Sequence, residues 1–122
     1  MGSKTFKESI MAKKAIASFK YDGNKGELEA AVRKSLERMK LKYELLVSNA
    51  GGFSFTAKEP MRWLTTNYPV HFTIDVAQSG NQWAVIIEGG CTLTSLTQDS
   101  HNSQRVKELR EMICTLAPGA SS

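Results

Sequence analysis

From Val70 onward the chain alternates, with Val70, Phe72, Ile74 and Val76 on one side and His71, Thr73, Asp75 and Ala77 on the other. Successive side chains of a strand point to opposite faces, so this pattern buries one face and leaves the other in water. Ser79-Gly80-Asn81 supplies a tight turn, after which Trp83, Val85 and Ile87 repeat the period. Two strands joined by so short a turn run antiparallel. A sheet apolar on one side needs a second layer over that side.

Helices on either flank can supply the layer. Asn24 followed by Glu27 resembles a capping box, and Leu28, Ala31, Val32, Ser35, Leu36 and Met39 recur at helical spacing. A second stripe, Val106, Leu109, Ile113 and Leu116, predicts a helix starting near Asn102 or Ser103 and ending at Pro118-Gly119. Ala15 to Tyr21 reads as a first strand, and Tyr43 to Val47 joins Phe53, Phe55 and Ala57 through the Asn49-Ala50-Gly51-Gly52 turn. Glu59 to Pro69 reads as a loop or irregular edge, and Gly89-Gly90 breaks the next run, beyond which Cys91 to Leu96 continues the strand or begins another. The expected class is α+β, a twisted antiparallel sheet of about five or six strands with two helices on one face, in the order β-α-β-β-β-β(-β)-α.

With 122 residues, 41% of them apolar, the chain has material for one core. Residues 1–13 read as a flexible basic arm, 14–117 as a single α+β domain and 118–122 as a C-terminal tail. The longest apolar run, Trp83 to Ile87, is far below the roughly 18 residues of a membrane span, and no apolar stretch of signal-peptide length follows the first lysines. Cys91 and Cys114 cannot build a disulfide framework and read as buried thiols of a cytoplasmic protein. The formal charge of +4 resides in Lys4, Lys7, Lys13, Lys14 and Lys20, opposed there only by Glu8. The remainder is neutral, which argues against nucleic acid as a partner.

The segments that carry common catalytic signatures are absent: no Walker loop, nucleophile elbow, dinucleotide fingerprint or paired-histidine zinc motif occurs. His71 and Asp75 share a strand face but stand about 13 Å apart, beyond direct hydrogen bonding. Cys91 and His71, on neighbouring strands, form the single nucleophile–base combination to consider. His101 reads as a turn residue before the last helix, and two histidines without an acidic cluster leave a zinc ion short of ligands. No cofactor or metal is expected.

The segment Phe55-Thr56-Ala57-Lys58-Glu59-Pro60-Met61-Arg62-Trp63, the alternating strand from Val70, and the helix start Asp99-Ser100-His101-Asn102-Ser103-Gln104-Arg105-Val106 resemble a group of small uncharacterised bacterial strand–helix–four-strand–helix domains. The resemblance covers roughly residues 14 to 116 and implies a helix-grip or TATA-binding-protein-like fold, with no activity or catalytic residue to carry over. The element order is also similar to that of the kinase-associated regulatory domain at the C-terminus of some protein kinases, which binds acidic lipids and kinase domains. The present chain departs from it in lacking an evident basic patch on its last strands.

The first expectation is therefore a non-enzymatic binding or adaptor module acting through protein–protein contact at Arg62, Trp63 and Tyr68, apolar anchors beside an arginine in the central loop. The alternative is a carrier holding a small apolar ligand between helices and sheet, against Phe53, Phe55, Phe72, Ile74 and Trp83. A third is contact with an anionic membrane through Lys34, Arg38 and Lys40, residues that otherwise read as a solvated helix face.

Overall fold

The computed structural model describes residues 14–60, 69–91 and 96–121. Strands β1 (Ala15–Tyr21), β2 (Lys42–Asn49), β3 (Gly52–Lys58), β4 (His71–Ser79), β5 (Gln82–Gly90) and the two-residue β6 (Ala120–Ser121) form one antiparallel sheet in the order β2-β3-β4-β5-β1-β6. Helix α1 (Lys25–Arg38) carries the chain from β1 to the far edge at β2, and α2 (Leu96–Leu116) follows β5. The α+β class and element order agree with the sequence. Beyond the strands anticipated, Ala120–Ser121 pairs with β1 at Lys20 and Tyr21, so the sheet draws in residues of the segment read as a tail.

Both helices cover the same side. α1 lies over β2 and β3, α2 over β1 and β5, and the two touch. Between them and the sheet lies one continuous apolar cluster that includes Phe19, Tyr21, Phe53, Phe55, Phe72, Ile74, Val85 and Ile87 from the strands and Leu28, Val32, Leu36, Val106, Leu109 and Ile113 from the helices. Central strand β4 alternates as its sequence demands, with Phe72, Ile74 and Val76 buried and His71, Asp75 and Ala77 exposed. Gly89 stands where α2 crosses the sheet; a Cβ there would lie 2.4 Å from the Val106 side chain. The glycine that reads in sequence as a break is thus a close-approach site within the strand.

The start of α1 matches its sequence signal. Asn24 Oδ1 accepts from the amides of Gly26 at 2.6 Å and Glu27 at 3.3 Å. Its end does not use glycine: the Leu41 amide donates to the Leu36 carbonyl, closing a Schellman turn with Lys40 at φ 59°. A side chain in that left-handed conformation is costly, so Lys40→Gly is expected to raise the unfolding free energy by about 0.5–1 kcal/mol. A urea titration reads it as a higher midpoint with unchanged slope.

The second helix corrects the sequence reading: it begins at Leu96, more than one turn before Asn102. Its first turns are polar and show no hydrophobic period. They are held instead by side-chain bonds: Gln98 Nε2 donates to Asn102 Oδ1 at 2.8 Å within buried surroundings, and His101 and Arg105 reach Glu59. His101 is therefore a helical residue and not a turn residue. The strand before it ends at Gly90, and residues 92–95 lie outside the described residues. Cys91 and Cys114 are both half-buried rather than fully buried, and burial pushes the Cys114 thiol above its ordinary pKa.

Candidate functional site

Helices close one face of the sheet; among the described residues no element covers the other, referred to as the bare face. Across that bare face, paired positions form rows: Lys42, Lys58, His71 and Gly90; then Glu44, Thr56, Thr73, Glu88 and Ile16; then Val47, Ser54, Asp75, Ile86 and Ser18; then Ala77, Ala84 and Lys20. The large apolar side chains exposed among the described residues are Ile16 at 65%, Leu46 at 58%, Val47 at 50% and Ile86 at 42%. Register puts Ile16, Val47 and Ile86 on the bare face, and Leu46 is the extra residue where the β2–β3 ladder shifts between Leu45 and Val47. Ile16 and Ile86 are diagonal neighbours on β1 and β5, while Val47 stands on β2 beyond Ser54 and Asp75.

At one end of this face lies a shallow hollow of about 290 Å³ bordered by Lys42, Glu44, Thr56, Lys58 and His71. Lys42, Lys58 and His71 occupy directly paired positions on three adjacent strands. Their side chains are exposed and, among the described residues, none forms an ion pair or hydrogen bond. Like charges directly opposite one another on neighbouring strands destabilise a sheet, so the Lys42–Lys58 pair is a cost to folding. The acids nearer the centre are already engaged: Asp75 accepts from the Ser54 hydroxyl, and Glu88 lies 3.6 Å from Lys14. His71 and Asp75 share the face without pairing, and His71 stands opposite Gly90, the residue before Cys91.

A second constellation joins β3 to α2. Glu59 Oε1 accepts from the Val70 amide at 3.0 Å and meets His101 Nε2 at 3.0 Å, while Oε2 accepts from Arg105 Nε at 2.6 Å. Arg105 also donates to Glu108 at 2.7 Å. Burial pushes the Glu59 carboxyl upward, but the Val70 amide, His101 and Arg105 outweigh it and hold its pKa below the usual glutamate value. The Glu59 amide in turn donates to the Val70 carbonyl at 3.1 Å. The cluster ties both ends of the connection between β3 and β4 to the helix. Its donors and acceptor satisfy one another, which is the arrangement of a structural clamp.

Among the sequence-derived candidates, Arg62, Trp63 and Tyr68 lie outside the described residues. Phe53, Phe55, Phe72 and Ile74 are brought together on the helix-facing side, at 2%, 0%, 0% and 0% exposure. Trp83 sits half-buried opposite Tyr21, its indole donating to the Gly23 carbonyl at 3.2 Å. Lys34, Arg38 and Lys40 are exposed near the C-terminal end of α1. Among the described residues no group of three His, Cys, Asp or Glu gathers as metal ligands, and no helix is long and apolar enough to cross a membrane.

No family model and no curated protein matches the chain. Solved structures do share its fold. The vertebrate conserved region of human METTL16 is 16% identical with a TM-score of 0.52, over 74% of this chain and 71% of that one. Ara h 8.0201 is 12% identical with a TM-score of 0.52, over 88% of this chain and 95% of that one. The likeness is one of fold: a small α+β unit of sheet and helices.

Proposed function

We propose that this chain is a non-catalytic binding module that receives a protein partner on the bare face of its sheet. The observation that carries the reading is the exposure of Ile16 and Ile86, neighbours on β1 and β5, and of Val47 on β2, all on the face that the helices leave open, while the helix-facing side is filled by the chain's own core. Desolvating apolar side chains that a sheet already presents favours association.

Ile86→Asp and Val47→Asp test it. Both positions are exposed on strands, so Val47→Asp is expected to keep the melting temperature within about 2–4 °C, the shift that roughly 0.5 kcal/mol produces in a domain of this size, and Ile86→Asp, which sets a second carboxylate opposite Asp75, to lower it by several degrees more while the domain stays folded. Affinity for a partner identified by capture and reconstituted from purified components is expected to fall at least tenfold. Unchanged affinity in both variants ends the proposal.

A second reading, a carrier of a small apolar ligand, is favoured by the aromatic layer of Phe53, Phe55 and Phe72 between sheet and helices. A ligand there would have to displace rings that already touch, Phe53 and Phe55 lying 5.7 Å apart in an edge contact. Native mass spectrometry of the protein from its source separates the readings: bound mass released on unfolding supports the carrier.

A further inference from the structure

We infer that the Lys42, Lys58 and His71 row is the docking point for a carboxylate side chain of an extended segment of the partner protein. The inference rests on the binding-module reading and adds the partner's chemistry.

Strand pairing fixes three nitrogen-bearing side chains side by side at one end of the bare face, beside a hollow, and none is satisfied by a neighbouring acid among the described residues. Opposite His71 stands Gly90, whose lack of a side chain leaves the row accessible from β5. An anion seated among the three would remove the repulsion between Lys42 and Lys58 and accept charge-assisted hydrogen bonds from them, with the His71 ring beside it.

The rest of the face selects the kind of anion. Glu44 borders the hollow, and Glu88 and Asp75 follow along the strands. A nucleic-acid backbone or an anionic bilayer laid flat would bring its charges against these acids. A single carboxylate would not. From His71 to the row of Val47, Asp75 and Ile86 is four strand residues, about 13 Å. A segment lying along β2 and β3 thus meets the row with an acidic side chain and the Val47 side chain with an apolar one about four positions away.

The test is an amide-resolved NMR titration of the full chain with acetyl-Ser-Glu-Thr-Ser-Thr-Leu-Ser-amide and with its Glu→Gln counterpart. The expected result is perturbation at Lys42, Lys58, His71 and Val47, with roughly tenfold weaker binding for the Gln peptide and for the Lys42→Gln, Lys58→Gln double variant, equivalent to about 1.4 kcal/mol. An oligothymidylate or phosphatidylserine vesicles perturbing the same amides at equal or lower concentration overturns the inference, as does a Gln peptide that binds equally well. Partner affinity separates the two levels. If the lysine double variant keeps it while Ile86→Asp loses it, the carboxylate site fails and the binding face stands; if Ile86→Asp and Val47→Asp both keep it, the face itself fails.

Discussion

Phe55→Ala is expected to lower the free energy of unfolding by about 3–5 kcal/mol, the range for emptying a buried aromatic site. Phe55 is fully buried on β3, and its ring meets those of Tyr43 at 5.9 Å and Phe53 at 5.7 Å, both in edge contacts. The Arg33 guanidinium lies 5.1 Å from the ring centre, so a cation on α1 caps the same side chain. Truncation therefore removes apolar transfer energy, two aromatic contacts and a tie between sheet and helix at once. Collapse cannot refill the space cheaply because the neighbouring rings are fixed by the strand register. Chemical denaturation measures the loss. A change below about 1 kcal/mol would mean that the space between sheet and helices is loosely filled, and would favour the carrier reading.

Glu59→Ala is expected to cost about 2–3 kcal/mol, because it leaves His101 and the Val70 amide without this acceptor and the partly buried Arg105 with Glu108 alone. Its pH dependence has a defined sign. The folded pKa of Glu59 is depressed, so the unfolded chain takes up its proton first as pH falls. The stabilisation is complete above the unfolded value, about pH 4.3 for glutamate, and is lost as pH drops through the lower folded value. Wild-type stability should fall along this limb, and Glu59→Gln should flatten it while lowering stability at neutral pH. A variant with an acid limb as steep as the wild type would show that other carboxylates carry the dependence.

The architecture was legible because its core elements follow regular periods. β4 alternates cleanly since only one of its faces is buried, and α1 carries both a cap and a stripe. The first turns of α2 were not legible, because the bonds that hold them reach Glu59 across 42 and 46 residues of sequence. Isolated polar residues give no period for such partners.

The proposed binding face left a faint signal in the sequence. In Trp83-Ala84-Val85-Ile86-Ile87 and in Leu45-Leu46-Val47 the apolar run continues through positions where a half-buried strand takes a polar residue. Ile86 and Leu46 are those positions; Val47 faces outward because the ladder shifts at Leu46, which alternation does not show. The basic row left none, since Lys42, Lys58 and His71 are neighbours only once the register is known. Composition drew attention to the central loop instead, and Arg62, Trp63 and Tyr68 there lie outside the described residues.

Side-chain oxidation by hydroxyl radicals, with and without the bound partner, tests the binding face most directly. Ile16, Leu46, Val47 and Ile86 are exposed in the structure and oxidise readily by that measure. On complex formation their labelling is expected to fall severalfold while Met39, on the helix side, keeps its own. Protection confined to the outward side of α1, with Ile86 and Val47 labelled as before, would contradict the account.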